Sequence, residues 1–283
     1  MKEILYCPLC KKDLVKYDSY FKCENNHSFD IARKGYVNLL LANQHHSDKS
    51  GDDKEMILSR VRFLNTGKYD LLKDGIFQVI NDYILKDNLS QVFIVDAGCG
   101  DGYYTTYFHQ KLNEKFNFEI KTYGIDLSKQ AINQSSIRQR KLDLNKLQFI
   151  IGNMNYLPIK DESVDFLINS FAKIDLNEFC RVIKKNGYFV RILPGERHLF
   201  GLKKVLYKDV RLNLEKDKEL DGFNLVEEKK LFGVINLNNQ EIVDLFVMTP
   251  YFYKSPSNSL DKLKKYESLE TEIEFQILIY QKL

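Results

Sequence analysis

Short apolar runs separated by amphipathic stretches set the pattern of this chain. Residues 92–96, 123–126, 147–153, 163–170 and 188–194 have the length and apolarity of buried strands. Residues 271–280 alternate apolar and polar side chains, as a half-buried strand does. Between these runs, residues 103–116 are helix-like, and residues 178–187 read as a helix stopped by Gly187. Residues 199–214 read as a further helix. Another helical pattern resumes near Glu55, where Met56, Val61, Phe63 and Leu64 are apolar. Strands alternating with helices predict βαβ units and a parallel sheet. The first 40 residues do not share this pattern, and the chain carries no internal repeat or low-complexity block.

Composition narrows the class. With 283 residues, 44% apolar and 29% charged, the chain can build a sizeable core and is not disordered. No stretch approaches the roughly 18 apolar residues of a membrane span. The first residues lack the apolar run of a signal peptide, so a cytoplasmic protein with no membrane partner is expected. Residues 1–73 hold 13 basic and 10 acidic side chains, and the remainder holds 29 of each. The whole excess of positive charge therefore lies in the first quarter, which hints at an anionic partner there.

Cys7-Pro-Leu-Cys10, twelve residues, Cys23, three residues and His27 form a four-ligand set with zinc-finger spacing. A two-residue gap lets a tight turn aim both sulfurs at one point, and the strand-like residues 20–22 bring back the second pair. Three thiolates and one imidazole complete a tetrahedron with no position left for substrate, so the zinc is structural. About 30 residues cannot bury enough apolar area to fold alone, and a metal staple meets that need. His45 and His46 are read as solvated loop residues rather than ligands. Cys99 and Cys180, far from the finger, are read as packing residues without an activating base.

The strand at 92–96 runs into Ala97-Gly-Cys-Gly-Asp-Gly102 and then a helix, the start of a βαβ unit. Glycines permit close approach of backbone to a ligand. A nucleotide pyrophosphate on the helix N-terminus would be repelled by Asp96 and Asp101, whereas a cationic sulfonium would be attracted. This favours S-adenosylmethionine over a nicotinamide cofactor. Asp126, ending the second strand, is placed to accept from two ribose hydroxyls.

The order of elements and turn residues resembles a class I methyltransferase, an α/β Rossmann-like fold with a seven-stranded mixed sheet, here with a small N-terminal zinc-binding domain. The three parts expected are a finger at 1–40, a linker and helical entry at 41–88, and a methyltransferase domain at 89–283. The joined sequence is similar to the large-subunit (23S) ribosomal RNA guanine-N1 methyltransferases over nearly its whole length. The most specific segments are Cys7-Pro-Leu-Cys10, His27-Ser-Phe-Asp30, Lys34-Gly-Tyr-Val-Asn-Leu-Leu40, Gly51-Asp52 with Glu55-Met56, Gly100-Asp-Gly-Tyr-Tyr-Thr105 and Pro194-Gly-Glu-Arg-His-Leu199. The resemblance puts zinc on Cys7, Cys10, Cys23 and His27. It puts cofactor contacts on Tyr69, Gly100, Asp101 and His198, to which the fold adds Asp96, Gly98, Asp126 and Asn153. Taken alone, Tyr69 reads as a core aromatic and His198 as a helix-start residue.

The implied reaction is methyl transfer to N1 of a guanine in an RNA hairpin, looped or flipped out to be reached. Asp52, Glu55 and Asp175 are candidates for taking the N1 proton. Arg33, Lys34, Arg60 and Arg62 would grip backbone phosphates. A homodimer, and a link to resistance against macrolide-type antibiotics, are implied by resemblance alone. Two departures concern target placement: Phe171-Ala172-Lys173 lacks the family's proline, and Ser50-Gly51-Asp52 replaces Pro-Gly-Asp. Two other readings are weighed. A methyltransferase for a small molecule would leave the finger unexplained. A zinc-bearing binding module with an idle domain would leave Asp96, Gly98, Gly100 and Asp126 unexplained.

Overall fold

The structure is a computed structural model that describes residues 3–44, 53–214 and 217–283. The chain begins with three short antiparallel strands, β1 (Val15–Lys16), β2 (Tyr20–Lys22) and β3 (Ser28–Asp30), followed by β4 (Val37–Asn38). Two helices come next, α1 (Lys54–Leu64) and α2 (Asp70–Lys86). An alternating run follows: β5 (Gln91–Ala97), α3 (Tyr103–Lys115), β6 (Glu119–Asp126), α4 (Lys129–Lys141), β7 (Leu147–Ile151), β8 (Val164–Ser170), α5 (Leu176–Val182), β9 (Ile183–Pro194) and α6 (Phe200–Leu206). The chain then forms β10 (Phe223–Asn238), α7 (Asn239–Val247), the short α8 (Tyr251–Lys254) and α9 (Ser259–Leu263), and β11 (Ser268–Lys282).

The large sheet runs β10-β11-β9-β8-β5-β6-β7-β4. Strands β4 to β9 pair in parallel, and β11 lies antiparallel between β9 and β10. Central β5 is buried from Val92 onward, as a parallel strand covered on both faces must be. Val92 and Ile94 point into an apolar layer with α2, α3, α6 and α7, while Phe93 and Val95 point into the opposite layer. The N-terminal ribbon shares that second layer, through Leu5, Leu14, Phe21 and Val37.

Several ties hold the ribbon to the sheet. Leu5 bridges Ile159, Tyr6 N–H donates to the Pro158 carbonyl at 3.0 Å, and Lys160 N–H donates to Ile4. The Glu3 carboxylate, nearly enclosed, accepts from Lys121 and from the Tyr123 hydroxyl. Finally β4 pairs with β7, so the ribbon's exit adds an eighth strand to the seven expected.

Three further differences from the sequence pattern have local causes. The helix expected at 178–187 stops at Val182, and residues 183–186 already belong to β9. Gly187 is not a helix stop. It lies where the strand crowds β8, and a Cβ there would stand 3.1 Å from the Val164 carbonyl. The helix expected to Leu214 ends at Leu206. Strand β10 was not legible at all: it is the sheet's exposed edge, and residues 224–228 face solvent.

Candidate active site and metal centre

Two turns build the metal centre. Lys11 N–H donates to the Cys7 carbonyl and Asn26 N–H to the Cys23 carbonyl, with Lys11 and Asn26 both in the left-handed region. These turns aim both pairs of side chains inward. Cys7 Sγ and Cys23 Sγ each lie 3.5 Å from His27 Nδ1, and Cys10 Sγ lies 3.6 Å from Cys23 Sγ. All four ligand atoms lie within 4.8 Å of one another. Zn–S bonds of about 2.3 Å and Zn–N bonds of about 2.0 Å give tetrahedron edges of roughly 3.5–3.8 Å. The donor set and its spacing therefore fit a tetrahedral zinc with no open position.

The second site is the crevice at the carboxyl ends of β5 and β6. Gly98, Gly100 and Gly102 all have positive φ, as the sharp turn from β5 into α3 demands. Gly98 is also sterically required: a Cβ there would meet the Ala172 methyl at 2.7 Å. Gly100 N–H donates to Asp126 Oδ2 at 3.0 Å, while Asp126 Oδ1 accepts from Ser128 N–H. The loop after β5 is thus tied to the end of β6.

The carboxylates here are not equivalent. Asp96 is buried, and burial pushes its carboxyl up to about 7. The Thr105 hydroxyl donates to Oδ2 and works against that shift, whereas Asp126 adds to it. Oδ1 of Asp96 is enclosed without a hydrogen-bond partner. A buried orphan acceptor is costly unless a ligand supplies the donor, so it fits a cationic or donor-bearing group. Asp101 is buried too, but Arg138 pairs with it at 2.7 Å and reaches Asn65 with its other nitrogen.

Tyr69 and His198 meet although they are 129 positions apart. The turn after α1 places Tyr69 at the start of α2, with its ring edge-on to Phe63 and Phe275. His198 follows β9 in a bend that puts Leu199 in the left-handed region. Burial pushes the His198 imidazole down to about 3, so it is neutral. The Glu274 amide donates to its Nδ1 at 3.2 Å. The ring proton must then sit on Nε2, which donates to the Tyr69 oxygen at 3.2 Å. That leaves the Tyr69 hydroxyl proton available to another acceptor.

Asn153 is buried after β7. Its Oδ1 accepts from Asn155 N–H, and its Nδ2 donates to the Gln44 carbonyl at 3.3 Å, so the ribbon's exit reaches the crevice. Above the glycine loop, Phe171 is half exposed with φ +59°, an uncommon backbone state for an aromatic residue. Asn169, enclosed beneath it, donates to both the Ala97 and the Lys173 carbonyls. That clamp secures the 171–173 loop without the missing proline.

The remaining candidates are dispersed. Asp175 caps α5 by accepting from Glu178 N–H. Glu55 accepts from Arg62 and Ser59. Asp52, with His45, His46 and the 50–52 segment, lies outside the described residues. Arg62 is held bidentately by the buried Asp244, which removes it from the set of cations offered to phosphate. Arg33 and Lys34 are exposed. Cys99 is buried and burial pushes its thiol well up, as a packing residue. Two features of the crevice were not read from sequence: the Asn169 clamp and the placement of Arg60 over the glycine loop.

A mixed sheet with β11 antiparallel and a glycine crevice at β5–β6 define a class I methyltransferase dependent on S-adenosylmethionine. Residues 88–241, more than half of the chain, match the family described as "Methyltransferase domain", and the chain belongs to that family. Residues 5–48 match the zinc-ribbon family described as "RlmA, N-terminal". A Bacillus subtilis (strain 168) protein provisionally named 23S rRNA (guanine-N(1)-)-methyltransferase YxjB is 28% identical, over 98% of this chain and 96% of its own. A Streptomyces fradiae protein named 23S rRNA (guanine(748)-N(1))-methyltransferase is 24% identical, over 87% of this chain and 84% of its own. A third relative, from Micromonospora griseorubida and also provisionally named 23S rRNA (guanine-N(1)-)-methyltransferase, is 28% identical over 70% of this chain and 68% of its own.

Proposed function

We propose that this protein transfers the methyl group of S-adenosylmethionine to N1 of a guanine in a hairpin of large-subunit ribosomal RNA. The observation that carries this reading is the end-to-end similarity, zinc ribbon included, to chains named for that reaction. The proposed setting is the cytoplasm, and the resemblance extends the proposal to a homodimer. Among the described residues no helix is long and apolar enough to cross a membrane.

When bound, the cofactor supplies a methyl group on a positively charged sulfur. In this reading Asp126 accepts from the ribose hydroxyls, Asn153 meets the adenine, and the backbone of Gly98, Gly100 and Asp101 lines the approach. Asp96, whose Oδ1 has no hydrogen-bond partner, is proposed to supply the carboxylate that balances the cofactor's positive charge. The Asp101 side chain, already paired with Arg138, contributes by holding the loop. Tyr69 and His198 close the far side.

The target guanine must leave any stack to reach this crevice. Phe171, at the rim over the glycine loop, is proposed as the ring on which it stacks, with Ala172 as the floor against Gly98. The N1 proton must depart as the new bond forms. Of the three carboxylates considered for it, Asp175 and Glu55 hold structural hydrogen bonds, and Asp52 is outside the described residues. Arg33 and Lys34 on the ribbon are proposed to contact RNA phosphates.

The test is transfer of label from S-adenosylmethionine to large-subunit RNA lacking native modification. Label confined to RNA supports the reading. Label found only in a small molecule of a cell extract would move the assignment to small-molecule methylation, and cofactor binding without any transfer would support a binding module.

A further inference from the structure

Two buried donors on the far side of the sheet have no acceptor. Arg191 lies on β9 midway between Phe189 and Leu193, so strand alternation turns it into the same apolar layer as those two. It is only 8% exposed. A guanidinium does not give up its proton, so its charge must be matched where it sits. Among the described residues no carboxylate pairs with it. Its Nη1 donates to the Asp217 carbonyl over a long 3.4 Å, and its Nε is enclosed without a partner. The Asp217 carboxylate accepts from the Glu219 N–H instead, at 2.9 Å. Tyr280 stands beside Arg191. The pairing of β11 with β9 sets Leu278 opposite Arg191 and Tyr280 opposite Phe189. Tyr280 is therefore the diagonal neighbour of Arg191 on the same face, within reach of a long side chain. Its hydroxyl is buried and has no partner either. Burial raises that hydroxyl above its ordinary value, so it keeps its proton and can donate.

We infer that Arg191 and Tyr280 form a binding site for a phosphate group beside the crevice. A full positive charge and two donors without acceptors ask for an oxyanion, and the guanidinium fork matches phosphate. Bound there, a phosphate replaces the long Asp217 contact and supplies acceptors to Nε and to the Tyr280 hydroxyl. The place is next to the crevice. Arg191 is the register partner of Asn169 on β8, the residue that clamps the Ala97 and Lys173 carbonyls. Strand β9 lies two places from β5, about 10 Å. The site therefore adjoins the Phe171 loop, where the target base is proposed to enter. If the RNA reading of the function holds, the group is a backbone phosphate beside the extruded guanine. Inorganic phosphate is the other source of the same chemistry.

The test uses the full-length, zinc-loaded protein with two probes, inorganic phosphate and large-subunit RNA lacking native modification. Sodium phosphate should raise Tm by about 2 °C or more over sodium chloride at equal ionic strength. Phosphate stabilises many proteins by exclusion from their surface, so the readout is the part of that increment lost in Arg191→Met. In chloride alone this variant should keep or raise Tm, because it removes a buried charge that nothing pairs. Tyr280→Phe removes a single oxygen and should lose part of the increment. With RNA as the probe, Arg191→Met should weaken binding by roughly tenfold and lower the salt slope by about 0.7–1, as for one lost phosphate contact. Weakened RNA binding identifies the group as backbone phosphate. A lost increment with unchanged RNA binding identifies it as free phosphate, and both results uphold the site. If the two variants match the unaltered protein in both readouts, the inference is overturned, whatever their Tm in chloride. An increment that depends on Arg191 in a protein that methylates no RNA would leave the site standing and remove the RNA reading instead.

Discussion

Asp96 is where the chemistry of a single residue says most about the ligand. Its carboxyl sits near 7 because burial opposes the charge, and one of its oxygens has no partner. A cationic ligand binds the ionised form, so binding below pH 7 must release a proton. Affinity for S-adenosylmethionine should therefore fall by up to about tenfold per pH unit as pH drops below 7. Titration calorimetry from pH 6 to 8 would show this slope, and Asp96→Asn should flatten it; a flat profile in the unaltered protein would contradict the assignment. The sign for stability is opposite. The folded state keeps a proton that the unfolded chain releases, so the stability that Asp96 contributes to the unliganded protein is lost as pH rises from about 4 through 7. Phe171 carries the second residue-scale prediction. If it stacks on the target base, Phe171→Ala should lower methyl transfer by roughly 5- to 100-fold. Binding of S-adenosylhomocysteine should move less than about twofold, because the ring stands at the rim. Loss of cofactor binding would instead show that the strained loop supports Gly98.

Among the elements, the ribbon and β4 depend on each other. Cys7 and Cys23 belong to the same apolar layer as Phe93 and Val95, and β4 leaves the ribbon to pair with β7. Removing zinc should therefore loosen the sheet edge as well as the ribbon. Chelation, or Cys10→Ser, is expected to lower Tm by about 5 °C or more, since each kcal/mol amounts to about 2–4 °C in a chain of this size. Limited proteolysis should then cut first within residues 3–44; an unchanged Tm would contradict this coupling. The same elements show what the sequence discloses. The metal ligands were legible because spacing is dictated by coordination geometry. The strands β5 to β8 were legible because burial on both faces leaves near-continuous apolar runs. Strand β10 was not, because the exposed edge tolerates Glu227-Glu-Lys-Lys230, residues that read as helix or loop. Strand β4 was hidden by its length of two residues. The nearness of Tyr69 and His198 came only through the family resemblance, because proximity across 129 positions is a property of topology.

At the scale of the whole molecule, the ribbon and the crevice form one framework. Shared core, β4 and the link from Asn153 to Gln44 fix the exposed Arg33 and Lys34 relative to the glycine-loop crevice. A rigid spacing between an RNA-contacting surface and a catalytic crevice selects a substrate by shape as well as by sequence. Charge reversal of both residues should then reduce kcat/KM for RNA, while affinity for S-adenosylhomocysteine is retained. The most direct test of the account is to methylate large-subunit RNA lacking native modification and map the product by primer extension. One new polymerase stop is expected, at a hairpin guanine, because a methyl group on N1 blocks the pairing face. Efficient cofactor binding with no stop, on free RNA and on ribosomal particles alike, would contradict it.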